Sequence, residues 1–266
     1  MDRAFLIAFS ITLLAGLSTV FGSFIVLFNK SKKTSWLSFS MSFAAGVMLY
    51  ISFVEIIPDS IHVFSDQNAT FFISNAYLNF GLFFLSGCAL ALFLEKVLPD
   101  HKISEKIGSG ISSKRKIYRT GVLIAISLAI HNFPEGIITF MECYTNLFSG
   151  LALALAIALH NIPEGMSISV PILHASGSKK KAIFYTALSG ITEPIGALFC
   201  YLLIKDGIQP FTEAALMSAV GGIMVFISIF VLMPLSVSYK ENKQPLFGFI
   251  SGCVIIGLSI FLMNSL

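Results

Sequence analysis

His131-Asn132-Phe133-Pro134-Glu135-Gly136 recurs, with one residue changed, as His160-Asn161-Ile162-Pro163-Glu164-Gly165. Both copies sit inside apolar runs long enough to cross a bilayer, where an ionisable side chain is expensive and marks a function by default. Within each copy His and Glu are one helical turn apart, so both leave the same face of a helix. The Asn after each His is rotated by roughly 100°, close enough to join the same cavity. Each Pro lacks an N–H and frees the carbonyl four residues earlier, that of Ile130 or Leu159. Freed backbone at membrane depth is tolerated where it lines a cavity or meets a neighbouring helix. Two imidazoles and two carboxylates converging there read as a divalent-metal site rather than as two kinked helices bonded to each other.

The two copies are also at one depth. A polar turn, Glu142 to Asn146, separates the helices and makes them antiparallel. At 1.5 Å per residue, His131 and His160 both lie about 16–21 Å from that turn, near the middle of a ~30 Å hydrocarbon core.

Composition agrees with a membrane setting. Of 266 residues, 56% are hydrophobic and only 12% charged, with a mean hydropathy of +0.86. Those values exclude an ordinary soluble domain and fit a polytopic, all-α membrane protein. Eight spans can be drawn: Ala4–Phe28, Trp36–Ile57, Ala76–Leu98, Thr120–Met141, Leu147–Leu173, Ala182–Ile204, Thr212–Val237 and Leu246–Met263. The first is too long for a signal-peptide core and is read as a spanning helix. Residues 1–266 form a single transmembrane domain, and 99–119, with Gly108-Ser109-Gly110, read as a flexible cytoplasmic loop.

Basic charge alternates between the connections. Lys30, Lys32 and Lys33, the run from Lys96 to Arg119, Lys179 to Lys181, and Lys240 with Lys243 all fall on one side. Of the 17 basic residues only Arg3 and Lys205 fall on the other. By the positive-inside rule the basic side is cytoplasmic and both termini are outside. Orientation accounts for the run Ser113–Arg119 without nucleic acid as a partner. Spans four and five form an antiparallel pair flanked by three spans on each side, a 3+2+3 arrangement that suggests pseudo-symmetric inverted repeats.

Further polar residues extend the site. Glu193 lies halfway along the sixth span in Gly190-Ile191-Thr192-Glu193-Pro194, again beside a Pro. The set of two His, two Asn and three Glu is hard enough for Mn²⁺ or Fe²⁺ and nitrogen-rich enough for Zn²⁺. Glu55, Asp59, His62 and Asp66, at the outer end of the second span, fit either a solvated helix end or a funnel that concentrates cations. Met48 and Met166 fit the lining of a path or gap-filling core. His101 and His174 are solitary, and the four Cys lack metal-site spacing. Asn68-Ala69-Thr70 is a glycosylation sequon, relevant only in a eukaryote. Abundant Lys and 26 Phe fit an AT-rich bacterial genome instead.

The paired hexapeptides, the eight spans and Phe43–Pro58 with its Gly46-Val47-Met48 and Phe53-Val54-Glu55 resemble the ZIP (Zrt/Irt-like) metal transporters, most nearly a bacterial ZupT-like branch. The likeness covers essentially the whole chain. It implies uptake of divalent transition metals into the cytoplasm, through a binuclear centre, by a multi-pass protein of the bacterial inner membrane. Carried over by motif, the ligands are His131, Asn132, Glu135, His160, Asn161, Glu164 and Glu193. The transported Zn²⁺, Fe²⁺, Mn²⁺ or Co²⁺ would be cargo, with no resident cofactor. The expected partners are those cations and the lipid bilayer, with a homodimer as the self-assembly considered. Where such transporters often carry an acidic residue before the Pro of the seventh span, this chain has apolar Phe230-Val231-Leu232-Met233-Pro234. An intramembrane metal-dependent hydrolase is the alternative, but no HExxH is present and the mid-membrane acids are all taken up as ligands. An exporter would commonly add a cytosolic metal-binding domain, and none is visible.

Overall fold

The computed structural model describes residues 3–28, 34–66, 75–97, 109–203, 209–239 and 243–264. Among them are eleven α-helices: α1 (Arg3–Phe28), α2 (Thr34–Ile51), α3 (Ile57–Asp66), α4 (Ala76–Val97), α5 (Ser109–Thr145), α6 (Leu147–Ser176), α7 (Lys179–Gly190), α8 (Thr192–Leu203), α9 (Pro210–Phe226), α10 (Met233–Ser238) and α11 (Gln244–Asn264). They combine into 8 stretches long and apolar enough to cross a membrane. α2 and α3 join through a π-helical turn, Ser52–Ile56, and α9 and α10 through another, Ile227–Leu232. α7 and α8 are two halves of one span, interrupted at Ile191.

Local chemistry sets the ends. The Asn146 side chain accepts hydrogen bonds from Phe148 N and Ser149 N, so the reversal from α5 to α6 needs a single capping residue. Gly177, at φ 67°, closes α6 in the left-handed conformation. Ser178 then caps α7 by accepting from Lys181 N. α5 and α6 continue as helix through Pro134, Pro163 and Pro171; the interruption comes instead just before Glu193-Pro194.

Two boundaries differ from the sequence reading. The second span does not end near Ile57 but continues to Asp66 through the π-turn. Pro58 has no N–H to give and crowds the carbonyl of the preceding turn; the extra residue of a π-turn absorbs that mismatch without ending the helix. Pro234 follows the second π-turn in the same way. In 99–119, the part to residue 108 lies outside the described residues, and from Ser109 the chain is already helical. There Arg119 donates from Nη2 to the Glu95 carbonyl at 2.6 Å, fastening α5 to the end of α4.

The helices form two groups. α1, α5, α6 and the α7–α8 span pack together, and α2–α3, α4, α9–α10 and α11 pack together. The main apolar core joins them, with Met48, Leu128, Ile168, Met224 and Ile227 among its buried members. Lipid offers no hydrophobic drive between helices, so cohesion depends on close packing and polar contacts.

Those contacts recur in pairs, and the pairing reveals an internal repeat. Ser42-x3-Gly46-Val-Met48-x2-Ile51-Ser52-x5-Pro58 matches Ser218-x3-Gly222-Ile-Met224-x2-Ile227-Ser228-x5-Pro234 at constant spacing. Phe84-Leu-Ser-Gly-Cys88 matches Phe249-Ile-Ser-Gly-Cys253. The matched cysteines do the same thing: Cys88 Sγ donates to the Gly222 carbonyl at 3.3 Å, and Cys253 Sγ to the Gly46 carbonyl at 3.4 Å. In the other group, Ser18 bonds back to Ala15 O as Thr192 does to Ser189 O, both at 2.6 Å. Thr12 and Thr186 likewise bond back one turn, to Ala8 and Ala182. Gly16 and Gly190 lie back to back, each leaving no room for a side chain against the other's carbonyl. The first three spans therefore repeat as the last three, and the α5–α6 pair relates to itself, an inverted-repeat architecture.

Candidate metal centre

Both hexapeptides fall in the buried middle of the α5–α6 pair. His131, Asn132, Asn161, Glu164 and Glu193 are wholly inaccessible, and Glu135 and His160 nearly so. His131 and Glu135, one turn apart on α5, bring Nε2 and Oε1 to 3.1 Å. The same Oε1 lies 3.1 Å from His160 Nε2 on α6. Glu164 answers from α6, with Oε1 3.3 Å from His131 Nε2. The imidazole centroids are 6.4 Å apart. One donor atom each from His131, His160 and Glu164 lie within 4.8 Å of one another, a span one small cation can close.

The Asn residues join this cluster to the flanking helices. Asn161 donates from Nδ2 to the Ala15 carbonyl at 3.1 Å and to a carboxylate oxygen of Glu193, tying α1, α6 and α8 together. Asn132 donates from Nδ2 to the Ser189 carbonyl at 3.4 Å. Glycines make this closeness available. A side chain at Gly136 would overlap the Glu193 carbonyl, and one at Gly165 the Thr19 carbonyl. The last residue of each hexapeptide thus lets a third helix lie directly against the site.

The cluster is polar beyond what its own hydrogen bonds satisfy. Glu135 Oε2, both Glu164 oxygens, Glu193 Oε2, His131 Nδ1, and the Oδ1 atoms of Asn132 and Asn161 have no hydrogen-bond partner. Buried carboxylates in such a place need a cation or protons to offset the loss of water. The donor set of oxygens with imidazole nitrogens suits a divalent transition metal.

A family model described as "ZIP Zinc transporter" matches residues 3–116 and 99–263. The chain belongs to the ZIP family. Similar proteins include the zinc transporter ZupT of Clostridium perfringens, 38% identical, spanning 97% of this chain and 96% of the relative. The zinc transporter ZupT of Campylobacter jejuni is 39% identical over 97% of both chains. That of Streptococcus mutans is 40% identical over 98% of this chain and 99% of the relative. Membership in ZIP, a transporter family, also removes the reading of an enzyme, and the eight spans make this member a multi-pass membrane protein.

Other residues singled out in the sequence fall into place within this ZIP fold. Glu55 lies in the first π-turn, half-buried, and Asp59 and His62 are exposed on α3. Met48 and Met166 are buried members of the apolar core. His174 is at the end of α6 with its ring 6.1 Å from that of Tyr239. Cys88, Cys143, Cys200 and Cys253 are free thiols, Cys143 being buried against Gly150. Asn68, His101, Lys30 and Lys240 lie outside the described residues. The sequence reading missed Thr19 and Ser189, which meet the hexapeptide residues from outside; the signal was the repeat Gly16-x2-Thr19-x2-Gly22 and Gly190-x2-Glu193-x2-Gly196.

Proposed function

We propose that this ZIP-family chain imports divalent transition-metal cations, zinc foremost and also iron, manganese and cobalt, across the bacterial inner membrane into the cytoplasm. His131, Asn132, Glu135, His160, Asn161, Glu164 and Glu193 hold the passing ions in a binuclear centre. The observation that carries this reading is the buried convergence of two imidazoles and two carboxylates whose remaining oxygens have no protein partner. The names of the full-length relatives add zinc as cargo.

Inward movement has a physical drive. A divalent cation moving down 100 mV gains about 4.6 kcal/mol, twice the value for one charge. Binding must select the ion and still release it inside, which favours shared, partly occupied ligands over a closed tetrahedral cage. Radioactive zinc uptake into vesicles containing only the purified protein tests the reading. Accumulation that competing Fe²⁺, Mn²⁺ or Co²⁺ reduces is expected; vesicles no fuller than protein-free controls would refute it.

A further inference from the structure

We propose that the cavity between α4, α5 and α10, on the basic side of the membrane, holds one anionic phospholipid. Arg119 and Tyr239 take its phosphate, and the apolar wall beneath them takes its acyl chains.

The cavity has a volume of about 500 Å³ and lies away from the metal centre. Its lining is polar at one end and apolar at the other. α5 enters from the basic side, so Arg119 and Thr120 lie nearer the membrane surface than Leu123, one turn on. The segment from Phe230 to Tyr239 runs the opposite way, with Phe230 and Val231 deep and Ser238 and Tyr239 at the surface. Glu95 closes the polar end from the last turn of α4. Phe230 and Pro234 are exposed, so the cavity opens sideways towards lipid rather than only into water. Polar groups at the surface above an apolar slot are the profile of a phospholipid standing in its own leaflet.

The polar end is built for a negative charge. Arg119 presents a planar set of donors suited to phosphate. The Tyr239 hydroxyl is buried without a hydrogen-bond partner, unusual for a group that ordinarily finds one. Burial pushes its phenol up to about 12, so it keeps its proton and can donate. On the same ends of α4 and α5, exposed Lys96, Lys114 and Arg115 outweigh Glu95, the one acid lining the cavity among the described residues. Basic pockets between spanning helices on the cytoplasmic side take anionic head groups in this way. The guanidinium also makes the cavity a poor resting place for an outgoing metal ion. Because α5 belongs to one helix group and α4 and α10 to the other, a lipid seated here touches both.

The test is native mass spectrometry of the purified full chain in detergent, titrated separately with phosphatidylglycerol and phosphatidylethanolamine. One phosphatidylglycerol is expected to bind more tightly than any later one and more tightly than phosphatidylethanolamine. Tyr239→Phe removes only the hydroxyl and should weaken that first lipid by about ten-fold, the scale of a hydrogen bond to a charged group. Arg119→Gln should weaken it at least as much, whereas Glu95→Gln, which removes the opposing charge, should tighten it. Lys180→Gln, on the same side but at the start of α7, should leave it unchanged. Unaltered binding in Tyr239→Phe overturns the proposal, and equal loss in Lys180→Gln would mean general surface attraction. Tighter binding of phosphatidylethanolamine, or weaker binding of phosphatidylglycerol in Glu95→Gln, would refute an anionic head group. Displacement of the lipid by an equal concentration of inorganic phosphate would refute the role of the apolar wall.

Discussion

Glu135 and His160 meet across the α5–α6 interface, with Oε1 and Nε2 3.1 Å apart. That oxygen is equally close to His131, so a single carboxylate joins the imidazoles of both hexapeptides. Glu193 makes no such bridge; it accepts from the amide of Asn161.

The three glutamates should therefore rank. Glu135→Ala removes a group both halves share and leaves the other buried groups uncompensated, at a cost of several kcal/mol; uptake should fall to background. Glu164→Ala should be similarly damaging. Glu193→Ala should keep measurable transport with altered affinity or ion preference. Initial uptake rate against metal concentration, at matched expression, measures this. A dead Glu193→Ala beside a working Glu135→Ala would reverse the assignment.

The imidazoles should set ion preference. Replacing His131 and His160 together by Asp trades nitrogen for hard oxygen, which moves selection from Zn²⁺ towards Mn²⁺. The uptake ratio of the two ions, in a double variant that still transports, is the readout. A ratio equal to that of the wild type would remove both residues from the ligand set.

Metal binding should release protons. A ligand must be deprotonated to coordinate, and several carboxylates crowded in one apolar cavity do not all ionise without a cation. Protons and metal then compete, so apparent affinity should fall as pH drops and rise as pH increases. Titrations in buffers of different ionisation enthalpy report the protons directly, through a heat that varies with the buffer; identical heats would contradict it.

Closeness at the hexapeptide ends should be intolerant of even one carbon. In Gly136→Ala the new Cβ meets the Glu193 carbonyl, and in Gly165→Ala that of Thr19. Overpacking of this kind costs about 1–3 kcal/mol. Both variants should lose thermal stability in detergent, while Gly81→Ala, where nothing lies within 4 Å, should not.

Much of this arrangement was legible in the sequence. His131, Glu135, His160 and Glu164 could be brought together because a four-residue spacing fixes a helix face and a polar turn fixes relative depth. Spans could be drawn because bilayer thickness dictates their length. The π-turns could not be read, since Pro58 looks like a helix end and the apolar run through Pro234 gives no sign of the extra residue that absorbs the proline. The residue-level repeat was also hidden. Its matching positions are small residues and serines scattered among interchangeable Leu, Ile, Val and Phe, and they gain meaning only from contacts such as Cys88 with Gly222 and Cys253 with Gly46. Thr19 stayed silent for the same reason: nothing in an apolar first span separates one Thr from another.

Gly16 and Gly190 touch where the repeat maps each position onto the other. In a symmetric homodimer, a residue on the twofold axis touches its own copy, and the surface on each side must be complementary to itself. This chain has that isologous geometry inside a single polypeptide. Added bulk at either position presses on the other half at once, so the two halves of the fold cannot change size independently, although about two-thirds of the sequence separates those glycines.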